Sequence, residues 1–264
     1  MRTLALLSTE GEGFNPPGAE DFELPPLFTI AGFEVTKVTL LVFLSVVLIG
    51  AFFYLAARRG ALVPGRLQFA GEGAYSFVRN QVGRDIIGSE DFKKFVPFLV
   101  TLFFFILVNN VFGIVPFLQF PTMSHIGYPA ALAAISFFVY NTVGIRRHGF
   151  VNYFKAAMFP PGVPKPVYVI LSPIELMTIL FTRPLTLAMR LFANMFAGHL
   201  LLLVFILGGE YMLHSGGFAA ILSPFAFGFG IVLTFFELLV QVLQAYIFTL
   251  LSSLYIAGAL AEEH

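Results

Sequence analysis

Few residues in this 264-residue chain can do chemistry, because 58% of it is hydrophobic and only 11% is charged. The most telling is Arg190, in the stretch RPLTLAMRLFANMFAGHLLL (residues 183–202), where no acidic residue stands near it in sequence. A lone guanidinium at bilayer depth costs about 2.5–3.5 kcal/mol on insertion scales, so a membrane chain that carries one is expected to use it. Arginine does not deprotonate in proteins, so it supplies a fixed positive charge. At about 100° per residue Asn194 lies some 40° round the helix from Arg190, whereas His199 lies about 180° round and about 13 Å along the axis. Further on, Glu237, Gln241 and Gln244 fall at i, i+4 and i+7, placing one carboxylate and two amides on one stripe of an otherwise apolar helix. Histidine and glutamate both exchange protons, and together they suggest a relay. Asn109 and Asn110 sit deep in FVPFLVTLFFFILVNNVFGIVPF, where asparagines also serve to bridge helices.

A mean hydropathy of +0.88 places these residues in an integral membrane protein and leaves no stretch for a separate soluble domain of ordinary size. The chain has no cysteine, which excludes disulfides, iron–sulfur clusters and thiolate metal sites, and neither a cofactor nor a metal site is expected. The zero formal net charge gives no electrostatic reason for a nucleic-acid partner. The opening MRTLALLSTEG is too short for a secretory signal, and residues 8–34 carry Glu10, Glu12, Glu20, Asp21, Glu23 and Glu34 without a lysine or arginine. Residues 1–34 therefore read as a polar tail.

The predicted architecture is all-α: one membrane domain (1–264) with five transmembrane helices and one interfacial amphipathic helix. Apolar runs at 35–57, 92–117 and 129–145 are each of membrane-spanning length. Over 66–90, Tyr75, Val78, Val82 and Ile86 recur every three or four residues with Arg79, Asn80 and Arg84 elsewhere round the wheel, the pattern of a helix on the membrane surface. The fourth and fifth runs, 171–207 and 219–260, exceed an upright crossing of a core about 30 Å thick, so both are expected to be strongly tilted. Pro184 is positioned to bend the fourth, and Pro224 with Gly228 and Gly230 to delay the start of the fifth. If the two pair as an antiparallel hairpin with Arg190 level with Gln244, His199 and Glu237 come within about 3 Å of the same depth.

Lysine and arginine fall between Arg58 and Lys94 and between Arg146 and Lys165, while the connections at 121–128 and 208–217 contain neither. Basic loops stay inside, so the expected topology has the N-terminus outside and the C-terminus in the cytoplasm of a bacterial plasma membrane.

RPLTLAMRLFANMFAGHLLL followed by ELLVQVLQAYIFTLLSSLYI resembles the subunit a family of F-type ATP synthases. That family's motif runs through an arginine into RLF, a small residue, NM and AG, with a later LQA-aromatic-IF block. Weaker likeness through NNVFGIVP and SPIEL extends over most of the chain. The resemblance implies a proton-conducting stator subunit, not itself an enzyme, set beside a rotating ring of c subunits in membrane lipid and held by peripheral-stalk b subunits. Two offset half-channels would couple proton flow to rotation, Na+ being the other compatible ion. Arg190 matches the family's essential arginine, Asn194 the asparagine after it and Gln244 the glutamine opposite. His199 and Glu237 match positions that hold a histidine and an acid in either order, and Gln241 lies between the matched positions Glu237 and Gln244. Asn109, Asn110 and Glu175 are candidates for the rest of the proton path. Gly113 replaces an aspartate found in some members, so the second span is not expected to contribute an acid.

The competing class is a self-contained secondary transporter or channel. Transporters often carry internal repeats with paired interrupted helices, and no such repeat is visible beyond the two long segments. A purely structural scaffold leaves Arg190 and Glu237 unexplained.

Overall fold

The computed structural model describes residues 16–18, 22, 25, 27–30, 33–58, 60, 61, 63–115, 118–159, 164 and 167–261. Two short strands, β1 (Phe28–Ile30) and β2 (Phe33–Val35), pair antiparallel with Phe28 opposite Val35. Nine helices follow among the described residues: α1 (Lys37–Ala57), α2 (Arg66–Phe77), α3 (Asp85–Ile87), α4 (Phe92–Val111), α5 (Gly127–His148), α6 (Phe150–Met158), α7 (Tyr168–Met177), α8 (Arg183–Ser215) and α9 (Gly217–Leu260). Five helical segments are long and apolar enough to cross a membrane, as expected. The hairpin occupies the end of the region read as a polar tail; residues 1–15 of that tail lie outside the described residues.

α1 begins at Thr36, whose hydroxyl accepts from the Thr39 N–H at 3.4 Å, a side-chain N-cap that satisfies an otherwise orphan donor. It is apolar all round, and Phe43 and Val47 remain 66% and 65% exposed, a surface suited to lipid and not to water. Its entrance is tied across the molecule by Lys37, which donates from Nζ to the Leu118 carbonyl at 2.7 Å.

The segment expected on the membrane surface is helical and mostly exposed, and a few of its residues pack on the protein. α2 runs through a wider π turn (Val78–Arg84) into α3. Val78 and Val82 are fully buried in the same cluster as Val96 and Leu99 of α4. The predicted apolar stripe thus has a protein partner at its centre, while Tyr75 stays exposed.

The fourth crossing is longer than the 171–207 run. Its helical path continues from Tyr168 to Ser215 over 48 residues, about 72 Å at 1.5 Å per residue. Pro184 stands in the first turn of α8, directly after a π turn. In the π turn Thr178–Thr182 the Arg183 N–H reaches back to the Thr178 carbonyl, and this wider turn precedes the proline whose ring would otherwise meet a carbonyl one turn back. α9 corrects the other expectation: Pro224 is inside a helix that already starts at Gly217. Gly216 and Gly217 have φ of 70° and 59°, a left-handed pair open to glycine at little cost, so the chain reverses in a tight turn and no delay is needed.

α8 and α9 lie antiparallel along their lengths, with α5 against both and α4 against α9. One apolar core joins α4, the π turn after α2, α8 and α9 around Leu99, Ile106, Leu191, Met195 and Phe248. Hydrogen bonds cross between elements as well. Ser253 donates to the Val82 carbonyl at 2.6 Å, Ser252 to the Ser136 hydroxyl at 3.2 Å, and Tyr140 to the Ile179 carbonyl at 3.0 Å. The short helix α6 lies in the basic connection between Arg146 and Lys165. Its Tyr153 rests on α5 at Gly144, where any β-carbon would overlap the phenol ring.

Candidate functional site

Arg190 stands exposed on α8, on a strip shared with Ala193, Asn194 and Ala197, and makes no ion pair among the described residues. The strip follows from helical spacing: residues 190, 193, 194 and 197 share one face, while Leu187, Leu191 and Met195 on the other side enter the core. Asn194 turns toward α9 and donates from Nδ2 to Gln244 Oε1 at 2.7 Å. The hairpin register therefore differs from the expected one by about a helical turn. Asn194, not Arg190, is level with Gln244, because the short amide can bond across a close helix pair while the guanidinium projects away from it.

The second polar group begins seven residues before Gln244 on α9. Glu237, Gln241 and Gln244 are all buried, although most of the helix round them is apolar. Gln241 donates from Nε2 to Glu237 Oε1 at 3.3 Å, and Asn110 donates from Nδ2 to the Gln241 carbonyl at 3.3 Å. Glu237 presses against α8 at Gly198, where a β-carbon would stand 3.3 Å from Oε1. His199 is the next residue, so the structure keeps histidine and glutamate at nearly one depth even in the shifted register. They are not ion-paired.

Five buried atoms in this region have no hydrogen-bond partner among the described residues: Glu237 Oε2, Gln241 Oε1, Gln244 Nε2, Asn110 Oδ1 and His199 Nδ1. Each unmade bond costs about 1–3 kcal/mol if nothing else meets the group, and native folds hold few of them. Five such atoms close together call for water or another polar partner there.

Asn109 is differently used. Its Nδ2 donates to Ser45 Oγ and to the Phe105 carbonyl, both at 2.8 Å, and its Oδ1 accepts from Thr122 at 3.0 Å. It binds α1 and the 122–124 turn to α4 as a structural bridge, apart from the α9 stripe. Gly113, where some relatives were expected to hold an acid, faces Gln241 Nε2 at 3.6 Å from an ideal β-carbon.

Glu175 belongs to another place. It lines a cavity of about 530 Å³ with Arg147, His148, Asn152, Tyr153 and Arg183 at the basic ends of α5, α6 and α8. Arg183 lies over the Tyr255 ring at 5.2 Å, and burial raises the Tyr153 phenol above its ordinary range. Arg147 and Arg183 were legible in sequence only as loop and helix-end charges, since their convergence depends on how α5 packs against α8. The described geometry thus brings Asn194 to Gln244 one turn from Arg190, gathers His199, Glu237, Gln241 and Asn110 nearer the α8–α9 turn, and leaves Glu175 in a separate cavity.

Residues 38–257 match the family described as ATP synthase A chain. Among curated proteins, the chain is 50% identical to ATP synthase subunit a of a Nocardioides species, with 97% of each chain covered. It is 46% identical to ATP synthase subunit a of Pseudarthrobacter chlorophenolicus over the whole of both chains. With ATP synthase subunit a of Rhodococcus erythropolis it shares 43% identity over all of this chain and 97% of the relative.

Proposed function

The chain belongs to the ATP synthase A chain family, and from that premise we propose that it forms two offset proton half-channels against a rotating ring of c subunits. It is a multi-pass membrane protein. The observation that carries the reading is an exposed arginine without an ion pair on a strip whose near neighbours are alanines. Small side chains let another helix approach closely, and a carboxylate on that helix would meet the guanidinium.

A ring carboxylate in hydrocarbon is normally neutral, because desolvation raises its pKa; a fixed cation beside it favours the ionised form. Arg190 therefore discharges each arriving site. The proton leaves toward the cytoplasm by the inner half-channel, for which the cavity at Glu175 is the candidate mouth. The site is recharged through the outer half-channel along His199, Glu237, Gln241 and Asn110, where the unpartnered buried atoms support a wet path. Asn194 and Gln244 keep α8 and α9 in register beside the arginine. Each proton delivers about 2.3 kcal/mol per 100 mV of membrane potential to rotation.

Affinity purification of the chain in mild detergent should bring down a ring of small hydrophobic subunits and peripheral-stalk b subunits. Recovery alone, with solute uptake when the chain is reconstituted by itself into liposomes, would favour a self-contained transporter instead.

The orientation has its own test, made clean by the absence of native cysteine. Ser215 and Asn152 are both exposed. A cysteine at Ser215 should react with an impermeant maleimide added outside intact cells, and one at Asn152 only after the cells are opened. Labelling of Asn152→Cys from outside would refute an external N-terminus with five crossings.

A further inference from the structure

The buried face of His199 is covered by a residue far away in sequence. Phe22, only 4% exposed, comes from the chain ahead of β1. Its ring centroid lies 4.8 Å from that of Phe196 and 5.8 Å from the His199 imidazole, the latter edge-on at 67°. Phe196 in turn stacks on Phe192 at 5.5 Å and 21°. Residues 192, 196 and 199 fall at i, i+4 and i+7, so they form one stripe of α8, turned away from the Arg190 strip. Phe22 completes this aromatic row and is the only one of its three phenylalanines that α8 does not supply.

An edge-on phenyl against an imidazole restricts rotation about the outer side-chain torsion, which is otherwise broad for histidine. It also removes one side of the ring from water. A proton-exchanging imidazole works only when its nitrogens face the donor and the acceptor, and here Nδ1 is buried without a hydrogen-bond partner among the described residues. We propose that Phe22 is a positioning residue for proton passage: its ring holds His199 in its working orientation and walls one side of the outer half-channel. The proposal rests on the reading of His199 as an outer half-channel group.

The assembled synthase in inverted membrane vesicles is the test system, with ATP-driven proton pumping normalised to ATP hydrolysis and to the amount of this chain. Phe22→Ala should slow pumping about threefold to tenfold, the range expected from losing one aromatic contact. Phe22→Tyr, which keeps the ring, should stay within about twofold of the parent. In a His199→Leu background, where there is no imidazole to orient, Phe22→Ala should make no further difference. A Phe22→Ala variant that pumps like the parent, or one that multiplies the His199→Leu defect in full, overturns the proposal.

A second measurement does not depend on how well the alanine variant folds. Phe22→Cys should react with an impermeant maleimide at least about tenfold more slowly than Ser215→Cys, because the site is buried; equal rates overturn the seating of Phe22. Either failure leaves the Arg190→Ala result untouched, whereas normal pumping by Arg190→Ala removes the half-channel reading itself.

Discussion

Inverted vesicles whose synthase carries Arg190→Ala will hydrolyse ATP without acidifying their lumen. Alanine leaves each ring carboxylate neutral as it passes, since nothing offsets the desolvation that raises its pKa. A neutral site carries its proton past the stator instead of releasing it, so pumping falls to background while the chain still inserts and co-purifies with the ring. Passive proton conduction in vesicles stripped of the catalytic head should rise, because the fixed charge between the half-channels is gone. Arg190→Lys should also fail or run poorly. An ammonium shifts its pKa readily when desolvated and can give up its proton, whereas guanidinium cannot. Fluorescence quenching of a pH dye reports the gradient, and normal quenching by Arg190→Ala vesicles would end the half-channel hypothesis. Arg190 is exposed and outside the core cluster, so the substitution opens no cavity and the loss can be read as function.

Changing Glu237 to glutamine should slow pumping on the order of a hundredfold, the scale of one lost proton-transfer group. Shape and burial are kept, and the amide can still pair with Gln241, which now donates to Glu237 Oε1. What disappears is a group that exchanges protons. His199→Leu should act in the same direction. The double exchange His199→Glu with Glu237→His restores one acid and one imidazole at nearly one depth, and should pump better than the worse single exchange. Such non-additivity marks coupled sites. The absence of an ion pair between His199 and Glu237 sharpens the test, because a simple loss of mutual charge neutralisation does not account for a rescue. If the double exchange is as damaging as the two single exchanges multiplied together, the residues act separately.

The sequence carried the transmembrane pattern well because apolar length is a one-dimensional property. Five spans, the unusual reach of the last two, and the polar stripe of α9 all follow from counting along the chain. The stripe Glu237, Gln241 and Gln244 could be placed on one face from spacing alone, and it is buried as a unit. Its register against α8 could not. Whether Arg190 or Asn194 meets Gln244 depends on side-chain length and on how closely Gly198 lets the helices approach, and both are properties of two surfaces together. Asn109 and Asn110 show the same limit. Adjacent residues lie about 100° apart on a helix, so one was bound to face α1 and the other α9, but nothing local says which. The seating of Phe22, the fold of α6 and the meeting of Arg147 with Arg183 and Glu175 depend on long-range packing. The strand pair before α1 was missed because two three-residue strands give no periodicity.

On the proposed function, a ring driven past this chain would push the α8–α9 hairpin sideways. Apolar contact is non-directional, so two greasy helices can slide along each other at little change in buried area. The bonds from Ser253 to the Val82 carbonyl, from Ser252 to Ser136 and from Tyr140 to the Ile179 carbonyl are directional and fail within a fraction of an ångström of displacement. They act as dowels, pinning α9 to the π turn after α2 and to α5, and α5 to the π turn before α8. Lateral load on the hairpin would thereby be handed to the helices behind it as shear on a few hydroxyls, and a stator so pinned would stay in place under it.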